Sequence, residues 1–268
     1  VIISDKYQLP FSEVIDWDTC SIRIKESELP MLVQIVKNNL HREEELRKNV
    51  KIVYDKYFSS TDAIITTAID IYISKIKTLK ISFCTGILNR FWQIKDTLPK
   101  NLEDNRENQD RVEFILVDYN STDGLKEFIL SNFKSELESG YLKYYICDEV
   151  KHWHAPSCKN TPHRLASNEV LVNLDADNFT GPCGGLFILD NFVKHGKNVF
   201  MHQGQGIYGK GNSGRIGYYK DDFMLIGGYD EQLIATGHED GDIIDRLIHS
   251  GKTRINIPKD EYAQTIRN

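Results

Sequence analysis

Glu169 to Asn178 reads EVLVNLDADN, and its chemistry is concentrated in the last four residues. Val170, Leu171, Val172 and Leu174 form a short apolar run rich in β-branched residues, the composition of a buried strand. The run stops at two carboxylates one residue apart, Asp175 and Asp177, followed by Asn178 and Gly181. In an open α/β sheet, ligands bind in the crevice beyond the carboxyl ends of the strands. Two acids there can hold a hard divalent cation, Mn²⁺ or Mg²⁺, with water and phosphate oxygens filling its other positions. A polar turn in which Asp175 caps the next helix would use the same residues.

Other polar clusters follow apolar runs in the same way. Thr85, Asn89 and Arg90 lie in CTGILNR, after the strand-like KISF. Asp118, Asn120, Ser121 and Asp123 lie in DYNSTD, after VEFILV, with Asp123 placed to cap the next helix. His154, Ser157, Lys159 and Asn160 precede the DADN strand, and His152 and His163 beside them read as surface or core-edge histidines. Further on, GGYDEQLIATGHEDGDIIDRLIHSG opens with a tight turn at Gly227 and Gly228. Gly237 then introduces Glu239, Asp240 and Asp242, just ahead of the amphipathic spacing Ile243, Ile244, Leu247, Ile248. Complementing a helix N-terminus, worth under about 2 kcal/mol, accounts for one or two of these acids. It does not account for three acids and His238 behind a glycine.

The elements that must position these groups alternate. From Lys77 the pattern predicts strands at 80–83, 112–117, 142–146, 170–174 and 199–202. Helices are expected at 88–98, 124–133, 159–166 and 184–194. That alternation is α/β, with a mainly parallel sheet flanked by helices. Residues 1–76 differ: short apolar alternations at VIIS and SIRI precede three helical stretches, one from Pro30 to Leu40, one over 41–58 and one from 61 to 76. The charged run Arg42 to Lys48 is a solvated helix face. Two parts are therefore expected, a mostly helical appendage over 1–76 and an α/β domain over 77–268, sharing an interface because no Pro/Gly linker separates them.

In their order at successive strand ends, these motifs resemble the nucleotide-sugar-binding half of the GT-A fold, the scaffold of family 2-like glycosyltransferases with a DxD motif. The resemblance implies a UDP-sugar donor, with Asp118 contacting the uracil ring and Thr85, Asn89, Arg90 and Asn120 near ribose or diphosphate. Lys159 or Asn160 would face the nucleotide. Asp177 would coordinate the metal, and Asp175 would contact ribose or metal. The GHEDGD block resembles the acceptor-side motif of β-1,4-galactosyltransferase-like enzymes. That resemblance makes Glu239 an acceptor-binding residue, Asp240 the general base, Asp242 a support for the base, and the reaction inverting. Gly227 and Gly228 would line the acceptor side. One departure is visible: where that family has a downstream histidine ligand, this chain has Asn268. VIISDKYQLPFSEVIDWDTCSIRI, ESELP and YDKYF resemble the closing segment of an exostosin-type domain. The segment is a remnant, so none of that family's donor-binding residues transfer to it, and it implies an exostosin-like domain upstream.

Composition narrows the alternatives. A net charge of −6 and a pI near 5.8 provide no basic field for nucleic acid. No apolar run reaches the length of a membrane span. Cys20, Cys84, Cys147, Cys158 and Cys183 show no CxxC spacing, which speaks against a zinc site or a disulfide framework. The chain opens at Val1 inside an apolar run, as a fragment of a longer protein would. Sequons at Asn120 and Asn178 fall in the expected crevice. A Golgi location follows from the resemblance, and a cytoplasmic one if those sequons stay unmodified. The Gly-rich 204–215 stretch lacks the P-loop form and is expected to lie over the donor. The expected activity is metal-dependent transfer from a UDP-sugar to a glycan or glycoprotein hydroxyl. A non-catalytic scaffold for an upstream exostosin domain, or a nucleotidyltransferase or sugar-nucleotide hydrolase, are the alternatives.

Overall fold

A computed structural model describes residues 2–3, 8–148, 152–202, 214–256, 262 and 264–266. The chain divides into two compact units, Val1–Thr78 and Leu79–Asn268. In the first, strands β1 (Ile2–Ile3) and β2 (Arg23–Ile24) pair in parallel. Helices α1 (Leu32–Asn38), α2 (Glu43–Val53) and α3 (Thr61–Thr78) follow, with a π-helical turn at Tyr54–Phe58 between the last two. Among the described residues of this unit, only Ile15, Cys20, Ile24 and Thr67 are buried.

The second unit is built on a seven-stranded sheet. Its elements in chain order are β3 (Ile81–Ile87), α4 (Phe91–Asp104), β4 (Val112–Asp118), α5 (Leu125–Asn132), α6 (Lys134–Ser139), β5 (Leu142–Ile146) and α7 (Ala155–Leu165). Then come β6 (Val170–Asn173), α8 (Gly184–His195), β7 (Val199–His202), β8 (Ile216–Tyr219), α9 (Lys220–Leu225), α10 (Glu239–His249) and β9 (Thr253–Asn256). The spatial order is β5-β4-β3-β6-β8-β7-β9, and every pairing is parallel except those of β8 with β6 and β7.

Strand periodicity sorts the core into two layers. Phe83, Phe114, Leu116 and Val172 face α4, α5 and α8 through Leu98, Ile129 and Phe192. Cys84, Ile115, Val117 and Leu171 face the other way, toward Cys158 of α7, Phe223 of α9 and Leu247 of α10. Gly86 allows α7 to cross β3 closely: a Cβ there would come within 2.7 Å of the Cys158 carbonyl oxygen. That close approach sets Lys159, the next residue, at the strand ends.

Several expected boundaries move. β3 runs on to Ile87, so Thr85 lies inside a strand rather than after one. Helix α4 begins at Phe91 and continues to Asp104, and α7 starts four residues earlier than its pattern suggests. Strand β8 was not anticipated, because it follows the Gly-rich stretch directly and its IGYY has a glycine in place of an unbroken apolar run. Of that stretch, 204–213 lies outside the described residues, as does Asn268. Among the described residues, no helix is long and apolar enough to cross a membrane.

Candidate active site

A cavity of about 480 Å³ opens at the carboxyl ends of β3 and β6. Asp175, Ala176 and Asp177 form one wall, and Glu239 and Asp240 another, with Thr236 beside them. Lys159 lies between the walls, and Arg90, Gln93, Leu88, Trp153 and Gly86 complete the lining.

The Asp175–Asp177 wall is held from behind. The Thr85 hydroxyl donates to the Leu174 carbonyl at 2.7 Å, and the Thr97 hydroxyl to that of Ala176 at 2.7 Å. Asn173 donates to Asp175 Oδ1 at 3.1 Å and to the Gly214 carbonyl at 2.9 Å. Asn178 Nδ2 donates to Asp177 Oδ1 at 2.5 Å. Burial, and then the charge of Asp175, push the Asp177 carboxyl above its usual range, opposed by Asn178 and more weakly by Arg90. No lysine or arginine donates a hydrogen bond to either acid among the described residues.

The other wall contains a cation of its own. Lys159 Nζ donates to Glu239 Oε1 at 3.0 Å and to Asp240 Oδ1 at 2.6 Å, with its side chain 8% exposed. Burial opposes its charge, but Asp175, Asp240 and Glu239 outweigh that and raise its pKa. Burial likewise opposes the charge on Glu239, yet Lys159 and the Gly237 amide hold its carboxyl below the usual range. Asp240 stands above the usual range, through burial first, against the pull of Lys159 and with Asp175 and Glu239 adding repulsion. The walls meet at Gly214: a Cβ there would lie 2.8 Å from Asp175 Oδ2 and 2.9 Å from Asp240 Oδ2.

Not all the residues anticipated from sequence reach this cavity. Asp118, expected against a uracil ring, is 1% exposed, accepts the Ser121 amide at 2.8 Å and the Tyr144 hydroxyl at 2.5 Å, and is absent from the lining. Asn89 and Asn120 both adopt positive φ in neighbouring loops. Asn89 accepts the Thr122 amide at 2.8 Å, so it knits the two loops together rather than facing the cavity. Asp123 caps α4 across space, accepting the Phe91 amide at 2.8 Å. Asn160 is fully buried and clamps the glycine turn: it accepts the Tyr229 amide and donates to the Tyr229 carbonyl, both at 2.8 Å. Gly228 is required there because a Cβ would meet Asn160 Oδ1 at 2.5 Å, and neither Gly227 nor Gly228 lines the cavity. Asp242, expected to support Asp240, is turned to Arg246 one helical turn on, at 2.6 Å, and is also absent from the lining. His163 is more than a core-edge histidine. It is fully buried, with its pKa lowered to about 3 by burial, and its Nδ1 lies 2.6 Å from the Lys159 carbonyl. Gln93, Trp153 and Thr236 were missed, having no motif to mark them. Arg215 was also missed, although it ends the Gly-rich stretch.

Among the described residues, no group of three or more His, Cys, Asp or Glu is placed to hold a metal. Asp175 and Asp177 supply oxygen donors alone, and one or two carboxylates completed by substrate phosphates is the usual protein share of a Mg²⁺-type site. The donor set fits such an ion.

A family profile described as the N-terminal domain of galactosyltransferase matches residues 202–267, which include Glu239 and Asp240. Over 77 residues, 28% of the chain, the sequence is 34% identical to exostosin-2 of Mus musculus and covers 11% of it. The exostosin-1 homolog of Caenorhabditis elegans is also 34% identical over 77 residues, 20% of its length. The chain thus spans a small part of these relatives. Among solved structures it resembles S. aureus TarS 1–349 in complex with UDP-GlcNAc, with TM-score 0.58 and 15% identity over 71% of this chain and 59% of that one. It also resembles the mannosyltransferase PcManGT from Pyrobaculum calidifontis in complex with GDP-Man and Mn²⁺, at 0.55 and 16% over 68% and 56%. GalNAc-T7 with UDP, GalNAc and Mn²⁺ gives 0.56 and 16% over 67% and 42%. The chain has the GT-A glycosyltransferase fold, with exostosin-like and galactosyltransferase-like sequence similarity.

Proposed function

We propose that this chain is a glycosyltransferase that moves a sugar from a UDP-sugar to a hydroxyl of a glycan or glycoprotein, with inversion at the anomeric carbon. The observation that carries this reading is the pair of acidic walls facing one cavity, of which, among the described residues, the Glu239–Asp240 wall alone accepts hydrogen bonds from a cationic side chain. The other wall suits a divalent metal, held by Asp177 with Asp175 beside it. Bound there, such an ion offsets the charge that develops on the departing diphosphate. Arg90, exposed at the cavity edge, is placed to take a phosphate oxygen by a charge-assisted hydrogen bond.

Asp240 is the proposed general base. A carboxylate lifted by burial is a stronger base than a surface one, and the ammonium of Lys159 keeps it ionised. It takes the proton of the acceptor hydroxyl as that oxygen bonds to the anomeric carbon and the bond to the diphosphate breaks. Glu239, anchored by Lys159 and the Gly237 amide, borders the space for the acceptor. Residues 1–76 are proposed to be an exostosin-like segment accompanying the catalytic unit over 77–268. The ligands named for the TarS and GalNAc-T7 complexes and the galactosyltransferase match over Glu239 and Asp240 support the assignment.

Release of UDP from UDP-sugars, followed with Mn²⁺ in the presence and absence of acceptor, tests it. Acceptor-dependent turnover is expected. Hydrolysis at full rate without acceptor would make the protein a hydrolase, and UDP–Mn²⁺ binding without turnover on any acceptor would make it a scaffold.

A further inference from the structure

Arg215 is among the largest fully buried side chains of the chain, and nothing in the reaction described above uses it. A guanidinium removed from water is costly unless its donors are met. Here one nitrogen donates to Asn178 Oδ1 at 2.7 Å and to the Gln264 carbonyl at 3.4 Å, and the other donates to the Tyr262 carbonyl. Its Nε has no partner among the described residues. Burial lowers its pKa to about 10, opposed by the charges of Asp175 and Asp177.

The groups it touches converge on Asp177. Asn178 is fully buried, which also hides its sequon, and its amide orientation is unambiguous. A guanidinium only donates and a carboxylate only accepts, so Oδ1 must meet Arg215 and Nδ2 must meet Asp177. The backbone repeats the connection. The Ile266 amide donates to the Asp177 carbonyl at 2.8 Å, and the Phe179 amide to the Gln264 carbonyl at 2.9 Å, flanking an antiparallel bridge between Asn178 and Thr265. Asn101 donates to the Asn178 carbonyl at 2.9 Å. Tyr262 stacks on Phe187 of α8, ring centroids 3.9 Å apart.

We propose that Arg215 is a positioning residue: through Asn178 it fixes the Asp177 carboxylate, and through the Tyr262 and Gln264 carbonyls it fastens Tyr262 and residues 264–266 to the acid loop. This rests on the reading of Asp177 as a metal-holding residue. Partners that orient a metal ligand in this way typically account for about 10- to 100-fold in metal affinity.

The test uses Asn178→Ala, Arg215→Met and Arg215→Lys in the full chain, with circular dichroism to confirm folding. Amide hydrogen exchange without ligand reads the attachment of 264–266. Paramagnetic resonance titration of Mn²⁺ with UDP reads the carboxylate. In Asn178→Ala, exchange is expected to rise at both 177–180 and 264–266, and Mn²⁺ affinity to fall about tenfold or more. Arg215→Met should do the same, and Arg215→Lys should recover part of the affinity. The double variant Asn178→Ala/Arg215→Met should be no worse than the poorer single, because both cut one chain of bonds. If Arg215→Met does not fold, Asn178→Ala decides alone. A folded Asn178→Ala with unchanged Mn²⁺ affinity, or with unchanged exchange at 264–266, would overturn the proposal. Failure of the wild-type chain to bind Mn²⁺ with UDP would remove the functional reading itself, a separable result.

Discussion

The two acidic walls of the cavity are built from similar residue types and differ in how their charge is met. On the α10 side, Glu239 and Asp240 share one buried ammonium, which offsets half of their charge within the protein. On the β6 side, Asp175 and Asp177 receive hydrogen bonds from Asn173 and Asn178 but no cationic donor among the described residues, and Asp177 is driven upward by burial and by its neighbour. Amides orient a carboxylate without neutralising it. That difference supports the proposal of a cation from solution on one wall and proton transfer on the other, a distinction the residue names do not carry.

Removing the internal cation should have the largest effect. Lys159→Met leaves the buried Glu239 and the half-buried Asp240 without their cation, and a loss of about 3 kcal/mol in stability is expected, read from chemical denaturation. A stable Lys159→Met would mean that the α10 wall is not held by charge. Asp240→Asn should cut turnover by at least about 100-fold while donor binding is kept. Full activity would place the base elsewhere. On the other wall, Asp177→Asn should weaken Mn²⁺-dependent UDP binding by about tenfold or more, seen by calorimetry. Unchanged affinity would erase the distinction between the walls.

At neutral pH the smallest effect concerns His163, beneath Lys159. Its folded pKa near 3 lies below the ordinary 6.5, so the unfolded chain binds the extra proton between those values. Its contribution is complete above pH 6.5 and is lost as pH falls toward 3, at up to about 1.4 kcal/mol per pH unit. Glu239, held low by Lys159, adds to the same side: its stabilisation is present above the unfolded carboxylate value near 4.3 and is lost below it. His163→Gln should flatten the stability profile between pH 6.5 and 3, measured by thermal melts across pH. An unaltered profile would show that the histidine is not buried neutral.

Much of this was legible from pattern. Strand β5 and strand β7 begin and end where the apolar runs do, because a buried strand is a local composition. The acids of DADN and GHED were readable as neighbours of one crevice because each follows a buried strand or a glycine at the start of a helix, and they do line one cavity. What failed were inferences about direction. Asp118, Asn160 and Asp242 have suitable types at suitable places, yet each side chain is taken up by a protein partner: Tyr144, the Tyr229 backbone and Arg246. A side chain's partner is a long-range fact. Lys159 meets acids about 80 positions on, and Arg215 meets Asn178 and the chain near 264.

The sequence alone determined the α/β alternation, the acids at strand and helix ends, and the resemblance to nucleotide-sugar transferases, since each is carried by neighbouring residues. Only the tertiary structure decided which carboxylates share a lysine, which accept no cationic hydrogen bond among the described residues, and that a buried arginine joins the acid loop to Tyr262 and Gln264. Those outcomes depend on burial and on distances between remote segments, and electrostatic energy inside a protein is set by both.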